Sequence, residues 1–372
     1  GEITDDTRIR ASLPTIQDLL SRGGRLILAS HLGRPKGEKN PEFSLAPVAK
    51  RLAELVDAKV HFLGETVGPE VEKAANALGE GEILLLENVR FFPGETANDP
   101  EFAKKLAALA DIYVNDAFGT AHRAHASTAG VANHVEQAAM GSLVERELKY
   151  LQGELEDPKR PFVVILGGKK VSDKIGVISA LLDKADTILI GGAMQYAFRK
   201  AQGHAIGKSY AMDDDLPIAK DLLGQAAAKG VNLLLPADSL EADDFSNDAN
   251  THNIEPYADG GSIRDGWEGL DIGQKAIDEF CDILKDAQTV IWNGPMGVFE
   301  IDAFAKGTKA VAEALAKNTS ATTIIGGGDS VTAVNKFGLA DKMTFMSTGG
   351  GASLELLEGK ILPGVDALSE QA

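Results

Sequence analysis

The sequence predicts an α/β fold of two domains, each built on a parallel β-sheet that helices cover on both faces. The chain has 372 residues, which is more than one ordinary hydrophobic core accommodates and which suits two domains. Short apolar runs alternate along it with segments of helical periodicity. Because these runs are nearly continuous in apolar residues, they are typical of strands in a parallel sheet.

The predicted strands are apolar runs that end in glycine or in a polar residue. They cover residues 25–30, 82–88, 111–116, 162–167, 187–192, 232–237, 289–294, 322–327 and 343–348. Segments such as "APVAKRLAELV" and "FAKKLAALA" fill the intervals as amphipathic helices. The domain boundary is predicted near 140–161, where a long helix runs into a polar Asp-Pro segment that ends it.

Composition and charge exclude several classes of partner. Hydrophobic residues make up 44% of the chain and charged residues 25%, which is typical of globular proteins. A net charge of −18 repels nucleic acid and acidic membrane surfaces, so neither is a predicted partner. No apolar run approaches the roughly 18 residues of a membrane helix. The single cysteine, Cys281, excludes an internal disulfide, and its helical context favours a core position over a nucleophile.

The strands of the second half end in glycine-rich turns. These turns read "LGGKK", "IGGAM", "WNGPMG", "IGGGDS" and "STGGGAS". In a parallel sheet such ends share one edge, which is where open α/β folds bind ligands. Glycine lets the backbone approach a phosphate, and the helix that follows offers free N–H groups. One Gly-Gly pair is an ordinary tight turn, but five such ends favour a nucleotide site. The first of them, "GGKKVSDK", is not a Walker loop, since its spacing differs.

The strands of the first half end in basic residues instead. Arg34, Arg90 and Arg123 each follow a predicted strand, and the histidines 31, 122 and 125 lie beside them. Arginine binds carboxylate and phosphate through two parallel hydrogen bonds, so this pattern favours a small, highly charged anion over surface salt bridges. A metal site is the alternative for the histidines, but "AHRAH" lacks the carboxylate or cysteine partners of a strong metal motif.

An anion site in one domain and a phosphate site in the other predict phosphoryl transfer, because such catalysis consists mainly of positioning and charge stabilisation. Two other classes remain open at this point. A two-domain solute-binding protein also encloses an anion, but it has no need of a lysine pair and acidic residues at a nucleotide site. An NAD-dependent dehydrogenase is less favoured, because no G-x-G-x-x-G follows any strand.

The chain closely resembles the phosphoglycerate kinase family along almost its whole length. The motifs that carry the resemblance are "SHLGRP", "ENVRF", "NDAFGTAHRAH", "GGKKVSDKI", "WNGPMGVFE", "GGGDSVTA" and "STGGGASLELLEG". The resemblance implies two Rossmann-like domains joined by a hinge helix near residues 141–160. It also implies reversible phosphoryl transfer between 1,3-bisphosphoglycerate and Mg·ADP, giving 3-phosphoglycerate and Mg·ATP, in glycolysis, gluconeogenesis or carbon fixation. A cytoplasmic monomer is expected, although organellar targeting stays open.

The resemblance also implies which substrate each domain binds. Residues 1–150 would bind the glycerate, 151–360 would bind the nucleotide, and 361–372 would return to the first domain. The implied glycerate contacts are Arg8, His31, Leu32, Gly33, Arg34, Arg90 and Arg123. The implied nucleotide contacts are Lys170, Lys174, Gly191, Gly192, Gly269, Pro295, Glu300, Gly327, Gly328, Asp329 and Ser330. The resemblance gives catalytic roles to Arg8, Lys174, Gly328 and Gly351, and a magnesium contact to Asp329.

Several of these residues have plainer interpretations. Lys170 and Lys174 are four residues apart, which predicts that they share one helix face, while Lys169 receives no role. Asp329 is also a candidate helix N-cap, and Arg8 is a residue of a first helical turn. No general base is expected, because the acceptor is already a carboxylate or an ADP oxygen.

One feature departs from the family. Its members carry a buried strand ahead of the segment that begins "GEITDD", and this strand ends in an aspartate and an asparagine that contact the substrate. We expect the natural protein to have that strand. A relative that binds but no longer catalyses is the remaining alternative.

Overall fold

The computed structural model describes residues 2–369. The chain forms two compact units. The first unit consists of Gly1–Lys149 with Ile361–Ala372, and the second consists of Tyr150–Lys360.

The first unit contains two parallel sheets. Strands β1 (Leu26–Leu28), β2 (Val60–Leu63) and β3 (Ile83–Leu86) form one in the order β1–β3–β2, and β4 (Ile112–Asn115) pairs with β5 (Gln137–Met140) in the other. The helices are α1 (Thr7–Ser21), α2 (Ala46–Leu55), α3 (Pro69–Ala77), α4 (Pro93–Thr96), α5 (Pro100–Ala107) and α6 (Ser142–Leu148). A last short helix covers Pro363–Asp366.

The central strand β3 is buried at every position because helices cover both of its faces. Leu84 and Leu86 pack with Phe102 and Leu106 of α5. The alternate residues Ile83 and Leu85 face the opposite side; Ile83 joins residues of α1 and α2, and Leu85 joins residues of α2. This alternation follows from the two-residue period of a strand, and it fixes the ends of β1 and β3 from which the site loops start.

The second unit is built on a six-stranded parallel sheet. Its strands are β6 (Phe162–Leu166), β7 (Thr187–Ile190), β8 (Asn232–Leu234), β12 (Thr289–Asn293), β13 (Thr322–Gly326) and β14 (Phe345–Met346). They lie across the sheet in the order β14–β13–β12–β6–β7–β8. The helices are α7 (Glu154–Glu156), α8 (Ile175–Leu181), α9 (Gln195–Ala201), α10 (Asp215–Lys229), α11 (Gln274–Asp286), α12 (Lys306–Lys317), α13 (Gly328–Lys336) and α14 (Gly351–Leu357). Half-buried Cys281 lies on α11 and packs against the core, as predicted.

Three parts of the fold differ from the sequence prediction. Strands β2 and β5 were not predicted. A second sheet of the second unit is antiparallel, with β9 (Ser239–Ala242) between β10 (Thr251–Asn253) and β11 (Glu268–Ile272). These strands are short and carry polar residues, so they lack the apolar runs that identified the others. The predicted long helix at 140–161 is instead α6, a π-helical turn at Lys149–Gly153, and α7.

Among residues 2–369, no helix combines the length and the apolar character that crossing a membrane requires.

Candidate active site

The basic residues of the first unit lie close enough to act on one another electrostatically. His31 follows β1, and burial is the main factor that lowers its pKa, to about 4. The positive charges of Arg90, Arg8 and Arg123 lower it further, in that order, and His125 adds to their effect. Residues from three loops and from the first turn of α1 therefore form one group, which we call the arginine cluster (Arg8, His31, Arg34, Arg90, Arg123 and His125).

Arg90 is the buried member of the arginine cluster. Its side chain is 8% exposed, and one terminal nitrogen donates to the carbonyl oxygen of Gly33 at 2.9 Å. Its Nε finds no hydrogen-bond partner among the described residues. Burial lowers the pKa of Arg90, and the charges of Arg123 and Arg34 act in the same direction, whereas Glu95 opposes them. Guanidinium groups that are partly buried and repel one another are stabilised when an anion binds between them.

The loop that carries His31 and Arg34 is fixed by Asn88, which is fully buried after β3. The Asn88 amide donates to the carbonyl oxygens of Leu32 and Phe43 at 2.8 and 2.9 Å. Its side-chain oxygen accepts from the backbone N–H of Arg90 at 3.0 Å. The side chain of Asn88 therefore fixes the positions of the loops after β1 and β3 relative to each other.

In the second unit, the turns after neighbouring strands interlock. Gly192 N donates to Met296 O at 2.9 Å, and Met194 N donates to Gly168 O at 3.0 Å. Gly192 has φ of +64°, and a Cβ there would collide with the backbone of Gly168. Only glycine suits such a position, since it combines a left-handed backbone with close approach of another chain segment. The predicted glycines 191 and 192 thus lie beside the turns after β6 and β12.

Lys174 lies at the edge of these turns, where its ammonium donates to Oδ1 of Asn293, the last residue of β12. Burial lowers the pKa of Lys174 to about 8, although the charges of Asp173, Asp329 and Glu358 partly offset this effect. The other amide atom of Asn293, Nδ2, has no hydrogen-bond partner within residues 2–369. A cation and an unpartnered donor therefore meet at the ends of β6 and β12.

The prediction that Lys170 and Lys174 share a helix face is wrong. Helix α8 begins at Ile175, so Lys174 precedes its first residue and Lys170 lies in the irregular segment before it. The physical reason is Asp215, a buried residue whose carboxylate accepts from the backbone N–H groups of Val171 and Ser172 at 3.3 and 3.2 Å. These bonds hold the segment in a turn, because a side-chain acceptor competes with the helical carbonyls.

Lys169 has a contact of its own. Its ammonium lies 4.4 Å from the centre of the Tyr210 ring, within the range of a cation–π interaction.

The turn after β13 leads into α13. Gly327, with φ of +83°, is the residue that precedes the helix, and Asp329 lies exposed in the first turn after Gly328. The interpretation of Asp329 as N-cap is therefore wrong, because glycine takes that position and leaves the carboxylate free to face solvent. Buried Ser330 accepts from Gly294 N at 2.6 Å and so ties this turn to the one after β12.

The loop that carries Glu300 is held from two sides. Lys336 of α13 donates to Phe299 O at 2.9 Å, and Val298 N donates to Leu270 O at 2.9 Å. Gly269, next to Leu270, packs so closely on Tyr196 that a Cβ would collide with the Tyr196 hydroxyl. The Glu300 side chain itself is exposed. The loop thus presents its carboxylate to solvent from a fixed backbone.

The last predicted residue, Gly351, begins α14 directly after Gly350, which has φ of +52°. Pro295 lies in the turn between β12 and the Glu300 loop, where its carbonyl approaches Gly167 and Gly192.

Several residues that shape these sites were not predicted from the sequence. Asn88, Glu95, Asp215 and Asn293 are buried polar residues with defined partners around the site loops. The one available signal was a polar residue at the end of an apolar run, as in "TVIWN" and "LLLEN". Asp215 and Glu95 lie outside such runs, and nothing in their local sequence distinguishes them.

A cationic cluster for a small anion in one unit, and glycine turns with a buried lysine in the other, define a kinase with an α/β fold. Comparison with known proteins identifies which kind. The model of the family described as phosphoglycerate kinase matches residues 1–360. The chain belongs to the phosphoglycerate kinase family, and it is a phosphotransferase whose acceptor is a carboxyl group.

Named relatives cover almost the whole chain. A phosphoglycerate kinase of Akkermansia muciniphila is 60% identical over 371 residues, which span 100% of this chain and 92% of the relative. A protein of Nicotiana tabacum named "Phosphoglycerate kinase, cytosolic" is 58% identical over 370 residues, covering 99% of this chain and 91% of its own length.

Solved structures confirm the predicted α/β class. Phosphoglycerate kinase from Coxiella burnetii matches with a TM-score of 0.88 at 43% identity, covering 99% of this chain and 91% of that one. The enzyme from Pyrococcus horikoshii OT3 matches with a TM-score of 0.81 at 31% identity, covering 99% and 92%.

Proposed function

We propose that the chain transfers a phosphoryl group reversibly between 1,3-bisphosphoglycerate and Mg·ADP, giving 3-phosphoglycerate and Mg·ATP. In this proposal the first unit binds the glycerate and the second binds the nucleotide. The observation that carries it is the arginine cluster, in which burial and then the neighbouring positive charges lower the pKa of His31 and of Arg90. An anion bound between these groups would relieve their mutual repulsion. Nothing in the fold or the comparisons favours the solute-binding alternative.

On the glycerate side, Arg34, Arg90 and Arg123 bind the carboxylate and the phosphate ester through paired hydrogen bonds. His31 is neutral at physiological pH, because its pKa is about 4, so it contributes a hydrogen bond rather than a charge. Leu32 and Gly33 contribute the backbone that Asn88 and Arg90 hold in place. Arg8 is exposed in the first turn of α1, and in this proposal it follows the group that moves.

On the nucleotide side, glycine turns provide N–H groups for the phosphates and a surface for the adenosine. Lys170 and Lys174 bind the phosphates, and Glu300 accepts from the ribose hydroxyls. Gly327, Gly328 and Ser330 line the phosphates, while Gly191, Gly192, Gly269 and Pro295 shape the adenosine pocket. The support for this assignment is that these turns interlock at the ends of adjacent strands, where open α/β folds bind ligands.

Asp329 is the residue that fits a magnesium ion. Its carboxylate is exposed in the first turn of α13 and is close enough to Lys174 for its charge to oppose the lowering of that residue's pKa by burial. Residues 2–369 contain no cluster of three or more metal-ligating side chains. A single carboxylate still suits Mg²⁺, which is commonly bound by one or two carboxylates together with substrate phosphates. The ion, when bound, neutralises phosphate charge during transfer.

In this scheme catalysis consists of stabilising the negative charge on the phosphoryl group in the transition state of its transfer. The carboxylate of 3-phosphoglycerate is already ionised, so no base has to remove a proton before it attacks. Arg8 and the ammonium of Lys174 offset the negative charge of the transferring group, and the backbone N–H groups of Gly328 and Gly351 donate to its oxygens. Transfer is direct only if the two bound substrates meet in line at bonding distance.

We further propose that the chain acts as a monomer in the cytoplasm. The name of the tobacco relative, which includes "cytosolic", supports the location. The monomer is what the resemblance to the family implies.

A coupled assay tests the proposal. The full chain is supplied with saturating 3-phosphoglycerate and Mg·ATP, and formation of ADP is followed continuously. We expect turnover that requires both substrates and that stops when a chelator removes Mg²⁺. Tight binding of 3-phosphoglycerate without turnover would contradict the proposal and would favour a binding role, either that of a solute-binding protein or that of a relative that no longer catalyses.

A further inference from the structure

Glu95 lies beside the arginine cluster, yet the reaction gives it no role. It belongs to the short helix α4 and is only 2% exposed. A carboxylate next to a site for an anion is unexpected on charge alone, because it repels the ligand. Its position therefore requires another explanation.

The hydrogen bonds of Glu95 lead to the loop that carries Arg123 and His125. One carboxylate oxygen accepts from the Ser127 hydroxyl at 2.6 Å, and the other accepts from the Ser127 backbone N–H at 3.0 Å. The backbone carbonyl of Glu95 accepts from Ala126 N at 2.9 Å. Glu95 thus makes three bonds to two consecutive residues of this loop.

Other bonds complete the fixation of the loop. The Tyr113 hydroxyl donates to Ser127 O at 2.9 Å, so Ser127 is held at its N–H, its hydroxyl and its carbonyl. Thr128 Oγ1 donates to Arg123 O at 2.8 Å and accepts from His125 N at 3.2 Å. The backbone of Arg123 is therefore connected to Glu95 through Thr128 and its chain neighbour Ser127.

Glu95 also faces the cluster itself. Its carboxylate oxygen lies 3.7 Å from Nδ1 of His125 and interacts electrostatically with Arg90. It therefore faces the residues after β3 and the residues after β4 at the same time, and it can set the distance between Arg90 and Arg123.

We propose that Glu95 is a positioning residue for the glycerate site, which holds the loop of Arg123 and His125 in the geometry that binds the anion. The inference rests on the proposed function, because it takes Arg123 as a ligand of the substrate. Glu95 touches no substrate atom in this scheme and acts through Ser127.

The test separates geometry from charge by the sign of the effect. Glu95→Ala removes both the hydrogen bonds and the negative charge. If Glu95 acted by charge alone, its loss would strengthen anion binding and lower the KM for 3-phosphoglycerate. Positioning predicts the opposite, a rise of about tenfold, because hydrogen bonds to a charged group in a buried setting are lost. The KM for Mg·ATP is expected to stay within about twofold, since it belongs to the other unit.

Two further variants sharpen the result. Glu95→Gln keeps the shape: its carbonyl can accept from Ser127 N, and its amide can donate to the Ser127 hydroxyl. We expect a KM for 3-phosphoglycerate within about twofold of the unchanged chain. Ser127→Ala removes one bond of the pair and is expected to raise that KM about threefold, which decides the matter if Glu95→Ala does not fold.

The matched control is Asp99→Ala. Asp99 caps α5 by accepting from Phe102 N at 2.8 Å, four residues from Glu95, and it makes no bond to the arginine cluster. Its loss destabilises the same region but leaves both KM values unchanged. A rise in both KM values for Glu95→Ala, or an unchanged KM for 3-phosphoglycerate, overturns the inference. If the unchanged chain shows no turnover, the proposed function fails, and calorimetric binding of 3-phosphoglycerate to the same variants then decides the role of Glu95.

Discussion

Replacing Lys174 by methionine should slow the reaction and stabilise the fold at the same time. Methionine retains most of the side-chain stem and removes the charge. In the proposed mechanism the ammonium acts mainly on the transition state, so kcat should fall about 10²–10³-fold, by analogy with the loss of one oxyanion donor. The KM for Mg·ATP should change much less, because Lys170 and the glycine turns still bind the nucleotide before transfer.

The expected gain in stability follows from the position of the ammonium. Burial lowers the pKa of Lys174 from 10.5 to about 8, which corresponds to about 3 kcal/mol of cost for keeping the charged form in the folded state. Methionine avoids this cost but leaves Asn293 Oδ1 without its donor, a loss of about 1 kcal/mol. The net gain is about 2 kcal/mol, or a rise in Tm of roughly 4–8 °C for a domain of this size.

The pH dependence provides an internal check. Because the folded pKa lies below the unfolded value, the unfolded chain binds more protons between pH 8 and 10.5, and the unchanged protein gains stability as pH rises through that window. The advantage of Lys174→Met should therefore shrink between pH 8 and 10.5.

Steady-state kinetics and thermal unfolding at pH 7 and pH 10 measure both effects, with Lys169→Met as the matched control. Lys169 is an exposed lysine near the same turn whose contact is with Tyr210. An unchanged kcat would show that the ammonium of Lys174 plays no part in transfer. A lower Tm at pH 7 would show that this ammonium stabilises the fold, contrary to the reasoning from burial.

Two further predictions concern single residues. Glu300→Ala should raise the KM for Mg·ATP about 10- to 100-fold, because a charged hydrogen bond to the ribose is lost, and it should leave the KM for 3-phosphoglycerate unchanged. The control is Glu313→Ala, at a residue of α12 whose carboxylate lies 3.9 Å from the Lys309 ammonium, and it should change neither KM. An unchanged nucleotide KM for Glu300→Ala would make Glu300 an ordinary surface residue. The ring of His31 should titrate near pH 4 in an NMR experiment, and the folded state should lose stability as pH falls from 6.5 towards 4, because the unfolded chain binds that proton first. Saturating 3-phosphoglycerate should raise the His31 pKa by offsetting the nearby arginine charges, and a midpoint near 6.5 in the free protein would contradict the proposed electrostatics.

The strands with continuous apolar runs were predictable from the sequence, because burial on both faces leaves a clear signal. "FVVIL" and "TVIWN" form β6 and β12, each one residue shorter than predicted. The antiparallel sheet was not predictable from the sequence, because its strands Glu268–Ile272 and Thr251–Asn253 carry polar residues. They pair with a strand that is distant in sequence. Such strands are stabilised by their tertiary context, which local composition does not contain.

The candidate site likewise contains residues that the sequence predicts and a feature that it does not. Arginines and glycines at strand ends were visible in the sequence, because parallel strands end at a common edge. Helix α8 starts later than predicted because the carboxylate of Asp215 accepts from the backbone N–H groups of Val171 and Ser172 and holds them in a turn. Asp215 lies more than forty residues after the lysines, so the local sequence does not reveal this contact. A spacing of four residues predicts a shared helix face only where the helix exists.

The residues that hold the site loops share one physical logic. Asn88 fixes the loop of His31 and Arg34, Asp215 fixes the turn before Lys174, and Ser330 fixes the turn after β12. Each is a buried polar side chain from a different part of the chain, and each satisfies backbone groups that a glycine-rich or arginine-rich loop leaves open. Phosphoryl transfer without a general base depends on placing charges to within a fraction of an ångström. The loops at the strand ends are rich in glycine and arginine and have little structure of their own. They can place the charged groups for phosphoryl transfer only because buried hydrogen-bond donors and acceptors keep each loop in one conformation.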